Sequence, residues 1–223
     1  MHSNRNPRPL SSEERLRRLL RDVRTCHACP DLPLGPNPVL RAAATARLLV
    51  VGQAPGIHVH RTGVPWNDAS GRRLRMWLGL APAEFYDEHL VAIIPMGLCY
   101  PGSGPRGDRP PRAECAALWF GRLHALLSRV ELTLLIGRHA QRYYLGQRCR
   151  VSLTETVRAF REYLPEYLPL PHPSGRNNAW LKANPWFTSM VLPELRHRIR
   201  RLAGHGVQDG AAAETEIIDI EGQ

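Results

Sequence analysis

The 223-residue chain is 43% hydrophobic and 22% charged, a globular balance that argues against disorder, and its length suits one domain or at most two small ones. No apolar run approaches the roughly 18 residues a membrane span needs, and Met1-His2-Ser3-Asn4-Arg5-Asn6-Pro7 lacks the apolar stretch of a secretory signal, so a soluble cytoplasmic protein is expected. The formal charge of +10 hides an uneven distribution: residues 204–223 hold five acids and no Lys or Arg, which leaves +15 on residues 1–203 and favours a polyanionic partner, nucleic acid first.

In chain order, residues 1–10 read as a polar, Pro-rich flexible arm. Ser11 and Glu14, three apart, form a capping box, and Leu16, Leu19, Leu20 and Val23 follow at helical spacing, which predicts an amphipathic helix over 12–25. A Pro-rich loop covers 30–45. Leu48-Leu49-Val50-Val51 is a short apolar run ending at Gly52, suited to a buried strand. Asp68-Ala69-Ser70-Gly71 opens a helix to about Leu78, and Leu90 to Ile94 is a second strand. A helix from Pro111 carries an apolar stripe through Leu118, Leu123 and Leu127. Leu132 to Ile136 is a third strand, helices follow near 138–145 and 153–163, and Tyr167 to Pro171 is a fourth strand ending at His172. A helix over 185–202, bent at Pro193, closes a single domain spanning 11–203. Residues 204–223 read as an acidic flexible tail. Strands alternating with helices imply an α/β fold: three layers, α/β/α, around a central, mainly parallel four-stranded sheet.

Ligands of open α/β sheets bind at the carboxyl ends of strands. Two short motifs fall there, Gly52-Gln53-Ala54-Pro55-Gly56 after the first strand and His172-Pro173-Ser174-Gly175-Arg176-Asn177 after the fourth. Either alone is an ordinary turn; both at one edge point to a site. Together with Arg61-Thr62-Gly63-Val64-Pro65-Trp66-Asn67-Asp68-Ala69-Ser70-Gly71, the chain resembles the uracil-DNA glycosylase superfamily over about residues 23–200, and most of all its iron–sulfur, family-five branch.

That resemblance implies a monofunctional DNA glycosylase. Hydrolysis of an N-glycosidic bond builds positive charge on the sugar and negative charge on the departing base. A carboxylate suits the first, and a neutral histidine that donates a hydrogen bond suits the second. The resemblance gives Asp68 the carboxylate role, alongside its reading as a plain helix N-cap, and His172 the leaving-group role. Ala54 stands where some branches put Asp or Asn. Trp66 stands where the family has a Phe that stacks on the flipped base, with an ordinary core tryptophan as the other reading. Gly52, Gln53, Ala54, Pro55, Gly56 and Asn67 would complete the base pocket, the glycines allowing close backbone approach. Ser174, Arg176 and Asn177 would approach the duplex, Arg176 at a phosphate. The stretch Ile93-Ile94-Pro95-Met96-Gly97-Leu98 lacks the side-chain amide that several branches use on the uracil edge, which leaves backbone groups, Asp108 or Asn67 for that task and the range of deaminated bases open.

Five cysteines in a cytosolic chain do not suggest disulfides. Cys26 and Cys29 form a C-x2-C knuckle, Cys99 and Cys115 are separated by 15 residues, and two such pairs can hold zinc or a cluster. The resemblance implies a [4Fe–4S] cluster on Cys26, Cys29, Cys99 and Cys115, with Cys149 a free thiol. His58 and His60 read as a surface loop without metal. The only lysine, Lys182, has no place in either motif, so no strand-nicking lyase chemistry is expected. The resemblance implies duplex DNA carrying a flipped uracil as the partner, and a monomer at the nucleoid is expected. The alternative is a protein of the same fold that binds or captures uracil-DNA without turnover. One branch captures through a histidine between the third and fourth cysteines, and Tyr100 to Glu114 contains none.

Overall fold

A computed structural model describes residues 8–105 and 107–204. Residues 205–223 of the proposed acidic tail and residues 1–7 of the arm lie outside these.

The elements run α1 (Ser12–Arg24), β1 (Leu48–Val51), α2 (Ile57–Thr62), α3 (Ala69–Leu78), α4 (Pro82–Phe85) and β2 (Val91–Ile93). A small hairpin follows, β3 (Ser103–Gly104) and β4 (Gly107–Asp108), then α5 (Ala113–Cys115), which passes through a π turn (Ala116–Phe120) into α6 (Gly121–His124). The rest is β5 (Leu132–Ile136), α7 (Arg138–Leu145), α8 (Leu153–Arg158), β6 (Tyr167–Leu170), α9 (Asn178–Ala183) and α10 (Leu192–Leu202).

Four strands form one parallel sheet in the order β2-β1-β5-β6. Leu48 pairs with Val91 on one side and Leu132 on the other, so β1 is central. The period of two then divides the core. Leu49, Val51, Ala92 and Leu135 face α1, α6 and α7, where they meet Leu16, Leu20, Leu123 and Ala140. Leu48, Val50, Ile93, Leu134 and Leu168 face the opposite layer, packing on Leu74, Trp77, Phe187, Leu195 and Ile199. Both faces are covered, which is why these strands are apolar throughout rather than alternating. No helix among the described residues is long and apolar enough to cross a membrane.

The structure departs from the sequence expectations in four places. Leu118, placed in the apolar stripe, is 45% exposed: the π turn inserts one extra residue per turn and rotates Trp119 and Phe120 inward instead. The helix expected from Pro111 begins at Ala113. The closing helix starts as a π turn at Phe187–Val191, and Pro193 lies in the first turn of α10 directly after it. The segment bearing His58 and His60 is helix α2, capped by Gly63 in the left-handed region at φ 68°, and not a loop.

Candidate active site

The turns after β1 and β6 open into one cavity of about 540 Å³, a volume suited to a small molecule or a flipped base. Its lining includes Gly52, Gln53, Ala54, Pro55 and Gly56 from the first turn, and Trp66, Asp68 and Ser70 from the start of α3. His172, Ser174 and Arg176 come from the turn after β6, and Asp108 from the hairpin. It lies where the sheet order switches from β2 on one side of β1 to β5 on the other, at the strands' carboxyl ends.

Asp68 caps α3: its Oδ1 accepts from the Gly71 N–H at 2.8 Å, and the same carboxylate lines the cavity. The two readings of this residue are therefore compatible in one position. Two residues earlier, Trp66 has φ 56°, the one left-handed non-glycine among the described residues. Its carbonyl lies so close over Gly71 that a Cβ there would stand 1.7 Å from the oxygen. Its ring rests on Gly52, where a Cβ would come within 2.9 Å of Cζ2, and faces the His172 ring at 5.5 Å between centroids. Gly52 is thus needed for room under an indole; neither it nor Gly56 has positive φ. The left-handed turn also sends Asn67 outward. Expected in the base pocket, Asn67 is exposed and off the cavity wall, because Trp66 and Asp68 take the inward positions.

His172 is held by its own loop: the Asn177 side-chain amide donates to the His172 carbonyl at 2.7 Å, and Asn177 does not reach the cavity. Burial pushes the imidazole pKa below the usual 6.5, opposed by the charges of Asp68 and Asp108 and reinforced by Arg176. The ring is therefore neutral at neutral pH and can donate without carrying charge. Arg176 lies against the hairpin, with Nη1 1.9 Å from the place a Cβ on Gly107 would occupy.

Arg73 and Gln141, which position the site, escape sequence reasoning, and so does the clamping contact of Gln53, a residue expected in the base pocket. Arg73 of α3 donates to the Ser174 carbonyl at 3.1 Å and to Asn178 Oδ1 at 2.8 Å, tying the two motifs together. Gln141 of α7, fully buried, donates to the Leu170 carbonyl at 3.0 Å and fixes the end of β6 two residues before His172. Gln53 donates to the Arg109 carbonyl at 2.9 Å and clamps the first turn to the hairpin strand. Inward amides and guanidiniums in helices carry no sequence signal of their own, and the motif that ends at Gly71 stops two residues short of Arg73.

Cys26, Cys29, Cys99 and Cys115 line a second, apolar hollow on the far side of the loop after β2. The Leu98 N–H approaches Cys115 Sγ at 3.5 Å, and the Asn37 backbone hydrogen-bonds Cys99. Burial raises the Cys99 thiol to about 11 and pushes Cys29 and Cys115 up as well. Among the described residues no three His, Cys, Asp or Glu side chains converge as they would on a single ion. Tetrahedral zinc would need sulfurs about 3.8 Å apart, given Zn–S bonds of about 2.3 Å. Cys149 lies apart, near Thr156.

A solution NMR structure of a candidate uracil DNA glycosylase from Methanosarcina acetivorans is similar to this chain, at 17% identity and a TM-score of 0.42, over 74% of this chain and 98% of the other. Residues 40–196 match the family model of the Uracil DNA glycosylase superfamily, a span that runs from the loop before β1 into α10 and contains both turns of the cavity. This chain belongs to the uracil DNA glycosylase superfamily.

Proposed function

We propose that the protein is a monofunctional glycosylase that hydrolyses the bond between uracil and deoxyribose in DNA and leaves an abasic site. One observation carries the reading: Asp68, Trp66 and His172 line a single cavity at the strands' carboxyl ends, with a neutral imidazole beside an indole face. A uracil flipped from the duplex stacks on Trp66. The Asp68 carboxylate faces the sugar, stabilises its growing positive charge and orients the attacking water. His172 donates to the base carbonyl that takes up negative charge, and its neutrality avoids adding a cation next to the sugar. Arg176 and Ser174, on the rim, hold phosphate, and the basic body supplies affinity without sequence preference.

The four cysteines suit a [4Fe–4S] cluster better than zinc. The donor set is all thiol, backbone N–H groups face two of the sulfurs, and among the described residues the side chains do not converge as they would on a single ion. Held there, the cluster supplies a structural staple joining the end of α1 to the loop after β2; catalysis by Asp68 and His172 does not pass through it. Lys182, on α9, is exposed and does not line the cavity, in keeping with hydrolysis without strand cleavage. The protein acts as a monomer on nucleoid DNA in the cytoplasm.

The test is single-turnover base release from U:G, U:A and single-stranded uracil substrates by wild type, Asp68→Asn and His172→Ala. Each change is expected to slow release by about 100-fold or more. Asparagine caps helices as well as aspartate, so Asp68→Asn should keep its stability. Wild-type protein that forms a heat-stable adduct with uracil-DNA and releases nothing would point to capture instead.

A further inference from the structure

Nothing yet assigned reads the identity of the base. After β2 the cavity wall is Ile93 and Pro95, which carry no side-chain amide, and Asn67 points to solvent. Of the remaining polar side chains, Asp68 is committed to the α3 cap and the sugar, and the Gln53 amide to the Arg109 carbonyl.

Asp108 is different. It sits on β4, paired with Ser103 across the hairpin. The Ser103 hydroxyl donates to its Oδ1 at 3.2 Å and lies 2.8 Å from the hydroxyl of the buried Tyr100. Gln53 grips the backbone of the same strand. This buttressing turns Oδ2 toward the first motif, 3.6 Å from where a Cβ on Gly56 would stand, and the residue lines the cavity. An exposed aspartate on a two-residue strand needs none of this support to stay soluble; a carboxylate that must meet a ligand in one orientation does.

An ionised carboxylate offers only acceptors. Deamination of cytosine or adenine converts a ring nitrogen that presents a lone pair into one that presents an N–H beside a new carbonyl. An acceptor at that point is satisfied by the deaminated base and repelled by the parent. We propose that Asp108 is the specificity-determining residue: its carboxylate accepts the imino N–H of the flipped base, so the site takes bases that carry this proton and rejects cytosine and adenine. The order of groups around the cavity fits. With Asp68 at the sugar and His172 at the carbonyl next to the glycosidic nitrogen, the imino N–H is the next position round a uracil ring. Both carboxylates are near enough for their charges to act on the His172 imidazole.

The proposal rests on the glycosylase reading and is tested so that the two can fail separately. Base release and equilibrium binding are measured on duplexes carrying uracil, N3-methyluracil (which lacks the imino proton) or cytosine, with wild type, Asp108→Ala and Asp108→Asn. Wild type should release uracil roughly 10- to 100-fold faster than N3-methyluracil, the worth of one charge-assisted hydrogen bond, and leave cytosine intact. Asp108→Ala should lose that ratio by slowing uracil alone. Asp108→Asn, which keeps the Ser103 contact and can still accept, should retain part of it. An undiminished ratio in Asp108→Ala overturns the assignment while leaving the glycosylase standing. Wild type that releases no base but binds uracil duplex over N3-methyluracil duplex through Asp108 keeps the reader and removes the catalysis. Release of uracil and N3-methyluracil at equal rates by wild type overturns the reader alone, and no base release together with no binding preference overturns both.

Discussion

Gly71→Ala is the sharpest single perturbation the structure offers, because three terms of different sign meet at one atom. In an open helical position the change would stabilise by about 0.5–1 kcal/mol. At residue 71 the added Cβ stands 1.7 Å from the Trp66 carbonyl oxygen and 2.5 Å from its carbon, and the obstacle is backbone, which cannot rotate away. Relief requires Trp66 or the first turn of α3 to move, an overpacking cost of about 1–3 kcal/mol. The Gly71 N–H also anchors the Asp68 cap, whose loss adds about 1 kcal/mol. The balance is a destabilisation of about 1–3 kcal/mol, or roughly 2–12 °C in Tm for a chain of this size. Gly121→Ala is the matched control: that glycine begins α6, with nothing within 4 Å of its Cβ position, and should stabilise by up to about 1 kcal/mol. Urea unfolding of both variants measures the pair, with unchanged m-values required for the comparison. Uracil release should fall in Gly71→Ala and hold in Gly121→Ala, since only the former shifts Trp66 and Asp68. If Gly71→Ala proves as stable as wild type, the tight passage of Trp66 over α3 is wrong, and with it the account of how Asp68 is aimed.

Three further outcomes are expected. The His172 ring should titrate below pH 6.5 by NMR, because burial lowers its folded-state pKa. Its contribution to stability is then fully present above pH 6.5 and is lost as pH falls through the lower folded value, and an inflection at or above 6.5 would contradict the neutral donor. Anaerobically purified protein should be brown, and Cys99→Ser or Cys115→Ser should remove the colour and lower Tm, whereas Cys149→Ser should do neither; colourless protein with stoichiometric zinc would reverse the metal assignment. Affinity for undamaged duplex should fall steeply between about 50 and 200 mM salt, by roughly 10³-fold or more if six phosphates are contacted, and a flat response would remove the basic body from DNA binding.

What was legible in the sequence is what is local. The Ser11–Glu14 capping box places α1 within a residue of its observed end, and the four apolar runs place the strands, because a doubly covered sheet leaves no alternation to mislead. The short α2, α4 and α9 and the two-residue hairpin carry too few periods to announce themselves. The π turn at 116–120 is invisible in any count at 3.6 residues per turn, which is why Leu118 was placed inside. In the site, motif residues were legible as types but not as directions. Asn67 and Asp68 are neighbours in a quoted string, and only the backbone turn at Trp66 decides that one faces solvent and the other the cavity. Arg73, Gln141 and Gln53 act across 101, 29 and 56 residues of chain, and such contacts exist only once the sheet order is known.

The strain at Trp66 ties these observations together. A non-glycine residue held with left-handed φ costs about 1–3 kcal/mol, and a glycine at this position would remove the cost. The chain instead surrounds the tryptophan with devices that keep it there. Gly71 leaves room for its carbonyl and Gly52 for its ring, and Arg75 donates to that carbonyl at 3.3 Å. Tyr86 donates to the preceding carbonyl of Pro65 at 3.1 Å and sits 3.3 Å from the same guanidinium. Backbone strain alone would favour the glycine. What the glycine could not supply is an indole face beside His172, two residues before a carboxylate whose cap hydrogen bond depends on the same turn. The strain is therefore located in the residue that sets an indole face and a cavity-lining carboxylate at once, and that coincidence is the structural argument for the proposed chemistry on a base.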